Sequence, residues 1–234
     1  MQPSHLTVAD VTYEQLAGSI DHSLLRPELI MSQIDEGCDL AALYEVASVC
    51  ARPADVSRCV ARLSSSAVAV GTVIGFPHGA TTTATKVFES EQAMGDGATE
   101  LDMVINIGWL RSGEDARAEE DIRAVVDVAG DAAIVKVILE NHYLTDDEKT
   151  RGCRLVESAG AHYVKTSTGF AETGATLEDL RLMRATVGSH VKVKAAQGVR
   201  TLDSLLAVIE AGCDRVGATA TAAMLDDYRS RTGG

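Results

Sequence analysis

Two short apolar stretches each carry a lysine just before a turn of small residues. Ala161-His162-Tyr163-Val164-Lys165-Thr166-Ser167-Thr168-Gly169-Phe170 reads as a strand with Lys165 near its C-terminal end, and Val191-Lys192-Val193-Lys194-Ala195-Ala196-Gln197-Gly198 repeats the pattern with Lys194. A strand this apolar is covered on both faces, so an ammonium within it loses hydration and its pKa falls. A lysine that carries a free amine near neutral pH can add to a carbonyl and form an imine. A lone strand-end lysine is more simply a side chain whose head reaches solvent along its own stem. Two of them on successive strands describe an electropositive pocket.

Such side chains need a scaffold that points strand ends toward one another. The chain has 234 residues, 46% hydrophobic and only 4% aromatic, so its core must be built from Ala, Val, Leu and Ile, which suits a parallel sheet wrapped by helices. Strands are expected at 18–25, 46–50, 68–75, 100–107, 133–139, 162–166, 191–195 and 214–217. Amphipathic helices lie between them, with starts read at Ser112, Thr145 and Thr176, each followed three residues later by an acidic residue. Helices at 83–94 and 114–129 are closed by glycines, and Gly160 and Gly212 end two more.

Eight β-α units without a linker or a change of composition predict one α/β domain over residues 1–234, a (β/α)8 TIM barrel with a short N-terminal helical cover in residues 1–16. An open doubly wound sheet is the alternative, but no Gly-x-Gly-x-x-Gly turn follows the first strand.

In a barrel the strand ends converge on one face, and the polar residues there are Asp21, Cys50, Asp102, Lys136, Lys165 and Lys194. An inward ionic network that merely fills the barrel is the structural alternative. Three lysines against two strand-end aspartates leave an excess of positive potential, which favours a depressed amine pKa instead. Gly169, the turn Gln197-Gly198-Val199-Arg200, and Gly217-Ala218-Thr219 place small residues where backbone N–H groups can approach an anion.

The formal net charge of −13, and the lack of a basic run with interleaved aromatics, argue against nucleic acid as a partner. The longest apolar run, 67–76, is too short to cross a bilayer, and no leader-like segment opens the chain, so a cytoplasmic protein with no membrane partner is expected. Cys38, Cys50, Cys59, Cys153 and Cys213 are scattered and odd in number, as reduced thiols would be. His22, His78, His142, His162 and His190 are isolated along the chain, so neither a metal nor a cofactor is expected.

The chain resembles deoxyribose-phosphate aldolase, in order from about residue 18 to 219. The resemblance is carried by Asp21-His22-Ser23-Leu24-Leu25, Ser48-Val49-Cys50, Gly75-Phe76-Pro77-His78-Gly79-Ala80, Leu101-Asp102-Met103-Val104-Ile105-Asn106, Lys136-Val137-Ile138-Leu139-Glu140, Val164-Lys165-Thr166-Ser167-Thr168-Gly169, Val193-Lys194-Ala195-Ala196 and Arg215-Val216-Gly217-Ala218. It implies a metal-independent class I aldolase that joins acetaldehyde to glyceraldehyde 3-phosphate, giving 2-deoxyribose 5-phosphate. Its partners would be small phosphosugars and aldehydes, with a homodimer as the candidate assembly.

By position, the resemblance makes Lys165 the imine-forming residue, Lys194 the ammonium that lowers its pKa, and Asp102 the group that moves protons with it. Asp21, Cys50 and Lys136 match positions lining the site. Thr168, Gly169, Gln197, Gly198, Gly217 and Thr219 fall in the substrate- and phosphate-binding loops. The sequence departs from the pattern at Gln197, where glycine is usual, at Thr219, where serine is usual, and at Lys192, which is expected to face inward and pair with Glu100. The tail after Tyr228 has no terminal tyrosine. An aldolase or transaldolase of different phosphosugar specificity, and a non-catalytic phosphosugar-binding barrel, are the competing readings.

Overall fold

The computed structural model describes residues 6–233. Eight parallel strands close in sequence order: β1 (Ile20–Leu24), β2 (Ser48–Ala51), β3 (Ala69–Ile74), β4 (Glu100–Val104), β5 (Ile134–Ile138), β6 (Tyr163–Lys165), β7 (Lys192–Ala196) and β8 (Arg215–Ala218), with β8 returning to β1. All eight expected strands are present, so the chain is a TIM barrel. Valine, isoleucine and leucine on alternate strand positions, among them Val49, Leu101, Val135, Val164, Val193 and Val216, are fully buried against the helices. The opposite set of positions faces the barrel axis, and that is where the charged residues fall.

The outer layer comprises α1 (Tyr13–Ala17), α2 (Met31–Leu43), α3 (Val56–Arg62), α4 (Thr83–Gly95), α5 (Ile107–Arg111), α6 (Asp115–Ala129), α7 (Asp146–Ser158), α8 (Leu177–Thr186), α9 (Leu202–Glu210) and α10 (Thr221–Thr232). Thr145 opens α7 with a capping box completed by Glu148, and Thr176 accepts the Asp179 N–H at the start of α8, as their spacing predicts. Ser112 does not start a helix. It ends α5, whose own cap is Asn106, and α6 begins without a side-chain cap after Glu114. Because Asn106 takes the Trp109 N–H, β4 stops at Val104, short of the expected 107.

The expected N-terminal cover is the short helix α1, capped by Thr12; residues 1–5 lie outside the described residues. Tyr228 of α10 donates to the Val11 carbonyl at 2.8 Å, tying the C-terminal helix to that cover. All five cysteines are buried and unbridged, and among the described residues no helix is long and apolar enough to cross a membrane.

Candidate active site

Strand register brings the inward polar residues level with one another. Asp102 is opposite Lys136, Lys165 is opposite Lys194, and Asp21 lies between Ser48 and Gly217. The cluster centres on Asp102, which is fully buried. Its Oδ1 accepts from Lys136 Nζ at 2.9 Å, while its Oδ2 accepts from both Lys165 Nζ at 2.6 Å and Lys194 Nζ at 2.7 Å. Lys194 also pairs with Asp21 Oδ2 at 2.5 Å. Two lysine side chains therefore share one carboxylate oxygen.

The electrostatics separate these two lysines. Burial pushes the Lys165 pKa below its ordinary value; Asp102 opposes the shift, and Lys194 adds to it. Burial works against the charge on Lys194 as well, but there Asp102 and Asp21 together outweigh it and hold the pKa up. Lys194 stays an ammonium, and Lys165 is the lysine of the pair that gives up its proton more readily. Burial also disfavours the Asp102 carboxylate, yet Lys136, Lys165 and Lys194 hold its pKa well below the ordinary 3.8. The Cys50 thiol is pushed up to about 11 by burial, with Asp102 reinforcing the shift, so it stays neutral.

A second tier of charges supports the first, and it contains the residue that sequence reasoning missed. Arg215, at the start of β8, donates through Nε to Asp21 Oδ1 at 2.8 Å and through a guanidinium nitrogen to Glu100 Oε1 at 2.6 Å. Glu100 Oε2 accepts from Lys136 at 2.6 Å. The expected pairing of Lys192 with Glu100 is therefore wrong. Lys192 sits two residues nearer the open N-terminal rim, opposite Tyr163, and is exposed there. Its long stem carries the charge out to solvent across the Tyr163 ring, 5.6 Å from Nζ. The signal for Arg215 lay in the same alternation that placed Gly217 inward, two residues along.

Above the cluster a cavity of 450 Å³ opens at the C-terminal ends of the strands. Lys165, Lys194, Asp21 and Cys50 line its floor side. Thr168, Gly169, Gln197, Gly198, Gly217 and Thr219 line its wall, together with Arg26 and Arg200. Asp102 and Lys136 do not line it and reach it only through the side chains they hold.

Gly169 at φ +90° and Gly198 at φ +96° hold backbone conformations that suit glycine. Gln197 adopts φ +64°, a left-handed conformation that strains a side-chain-bearing residue. Its amide nitrogen donates to the Ala171 carbonyl at 3.1 Å, so that donor is committed to the loop after β6. Thr168 is buried and its hydroxyl is likewise committed, to Glu140. Among the described residues no group of three or more His, Cys, Asp or Glu could hold a metal ion.

Comparison with known proteins bears on this geometry. The DeoC/LacD family aldolase model matches residues 10–229. Over 210 residues the chain is 53% identical to deoxyribose-phosphate aldolase 1 of Oceanobacillus iheyensis, covering 90% of this chain and 95% of that one. Its identity to deoxyribose-phosphate aldolase 1 of Bacillus licheniformis is 51% over 207 residues, with coverage of 88% and 93%. Among solved structures, the tetrameric deoxyribose phosphate aldolase of Aeropyrum pernix superposes with a TM-score of 0.87 at 26% identity, over 94% of this chain and 93% of that one.

Proposed function

The chain belongs to the DeoC/LacD aldolase family, and from that premise we propose how its cavity performs the reaction. The activity is that of a class I aldolase, which reversibly cleaves 2-deoxyribose 5-phosphate to acetaldehyde and glyceraldehyde 3-phosphate. The observation that carries the residue assignment is the shared Asp102 oxygen, with one lysine depressed and the other kept charged beside it.

Lys165 is the residue that attacks. Its neutral amine adds to the aldehyde carbon of the open-chain sugar, giving a carbinolamine that loses water to form the imine. The C2–C3 bond then breaks. Its electron pair moves into the imine to give an enamine, while the C3 hydroxyl gives its proton to the Asp102 carboxylate and becomes the carbonyl of glyceraldehyde 3-phosphate. Protonation of the enamine carbon and hydrolysis of the imine release acetaldehyde and restore Lys165.

Asp102 accepts directly from the Lys165 amine and Lys194 shares the same Asp102 oxygen, and Asp102 and Lys194 serve the proton transfers of carbinolamine breakdown and enamine protonation. The phosphate belongs at the wall formed by Gly169, Gly198, Gly217 and Thr219, with the Arg26 and Arg200 charges at its rim. A binding protein without chemistry would need the anion loops but not two lysines on one carboxylate oxygen.

The same reading has residues 1–234 acting as one domain, as a homodimer in the cytoplasm; the unbridged thiols favour a reducing compartment. Sedimentation velocity tests the assembly, and a monomer would remove that part. The activity itself is tested by supplying purified protein with 2-deoxyribose 5-phosphate and following acetaldehyde release. Turnover is expected, and its absence would overturn the reading.

A further inference from the structure

One buried carboxylate outside the ionic cluster governs the loop that presents Gly169. Glu140 follows β5 on the same alternation as Lys136, is 2% exposed, and holds φ +57°, left-handed for a residue with a side chain. Strain of this kind persists only where surrounding interactions enforce it. Here the enforcing contacts are with Thr168. Glu140 Oε2 accepts the Thr168 backbone N–H at 3.1 Å and also the Thr168 hydroxyl, and Thr168 Oγ1 in turn accepts the Phe170 N–H at 3.1 Å.

Gly169 lies between these two anchored residues at φ +90°, and a Cβ built on it would meet nothing within 4 Å. No side chain packs on the glycine itself; beyond it the Phe170 ring stands edge-on to Phe76 at 5.3 Å and Gln197 holds the Ala171 carbonyl. The residues flanking the glycine are held by the Glu140–Thr168 and Thr168–Phe170 hydrogen bonds. The other carboxylate oxygen, Oε1, has no hydrogen-bond partner among the described residues, so the grip on Thr168 is the one hydrogen-bonding task the side chain performs. The Lys165 amine is held separately, by Asp102 on β4.

We propose that Glu140 is a positioning residue for phosphate recognition: it fixes Thr168, Gly169 and Phe170 so that the Gly169 backbone faces the substrate phosphate. The proposal rests on the aldolase reading given above. Its mark is a split between substrates, because a displaced Gly169 N–H weakens the hold on a phosphate without disturbing the amine.

The experiment compares wild type, Glu140→Gly and Glu140→Gln on 2-deoxyribose 5-phosphate and on unphosphorylated 2-deoxyribose. Glycine removes the carboxylate while tolerating the left-handed backbone. Glu140→Gly is expected to raise KM for the phosphorylated substrate roughly ten- to a hundredfold, the scale of a lost charge-assisted anchor, with kcat within about threefold. KM for 2-deoxyribose should be unchanged. Glu140→Gln retains an accepting oxygen and should recover most of the affinity.

An equal rise in KM for both substrates, a loss carried by kcat, or no change would overturn the proposal. If Glu140→Gly does not fold, Thr168→Val removes the hydroxyl from the same grip and must show the same split, failing which the proposal falls. A wild-type protein that does not turn over 2-deoxyribose 5-phosphate would instead refute the underlying reaction.

Discussion

Lys165 and Lys194 differ chemically only through their neighbours, and that difference can be measured. Both are buried, yet Lys194 has two carboxylates and Lys165 one, so the former keeps its proton and the latter is depressed. Replacing Lys194 by leucine removes a positive charge beside Lys165, whose pKa then rises toward its ordinary value of 10.5. Lys194→Leu should therefore retain only a small residual activity that climbs with pH, and an unchanged pH–rate profile would contradict the electrostatic account. Gln197 is a second test at this scale. Its φ of +64° costs on the order of 1 kcal/mol, which glycine would relieve. Gln197→Gly should lower KM for the phosphorylated substrate a few-fold and leave 2-deoxyribose unaffected; an increase would show that the link to Ala171 matters more. The lysines and Asp102 were legible in the sequence because charges in apolar strands stand out. Arg215 and Glu140 were not, because an arginine opening a strand and a glutamate ending one look like ordinary solvated residues. Only closure of the barrel turns both inward.

At the scale of elements, β-branched runs bounded by glycine were sufficient to find every strand, and Thr145 and Thr176 sufficient to start two helices. The failures have local causes. Ser112 and Asp115 have the spacing of a cap, but Asn106 captures the chain first, winds α5, and leaves Ser112 at its C-terminal end. Lys192 shares the parity of Lys194, and parity says nothing of depth along the axis. Two residues separate an exposed rim from a sealed interior. Helix caps away from the cavity contribute to stability and not to chemistry. Thr145 Oγ1 accepts the Glu148 N–H at 3.3 Å while Glu148 accepts the Thr145 N–H at 2.7 Å. Thr145→Ala should cost about 1 kcal/mol in urea unfolding with kcat/KM unchanged. A comparable fall in kcat/KM would mean that α7 communicates with the cavity.

For the molecule as a whole, the buried cluster makes stability depend on pH. In Asp21 and Asp102 burial raises the pKa, but the surrounding cations outweigh it and leave both depressed in the folded state. An unfolded aspartate titrates near 3.8, so their contribution is fully present above that value and is lost as pH falls below it toward the folded pKa. Urea midpoints should stay level from about pH 7 to 8, decline below about pH 6.5 because burial pushes the His22 imidazole down to about 4 and the unfolded chain takes that proton first, and fall further below about pH 4; midpoints level down to about pH 3 would contradict the account. The whole chain also supplies the sharpest control on the chemistry, since it has six lysines and two of them are depressed by burial. Lys86 is sealed beneath α4 against Asp121 and the Val104 carbonyl, whereas Lys165 opens into the cavity. Borohydride reduction in the presence of acetaldehyde, followed by peptide mapping, asks which lysine forms the imine. The account predicts one reduced adduct, on Lys165, and none in a folded Lys165→Ala variant that no longer turns over. An adduct at Lys194, Lys86 or any other lysine in the wild type would contradict it.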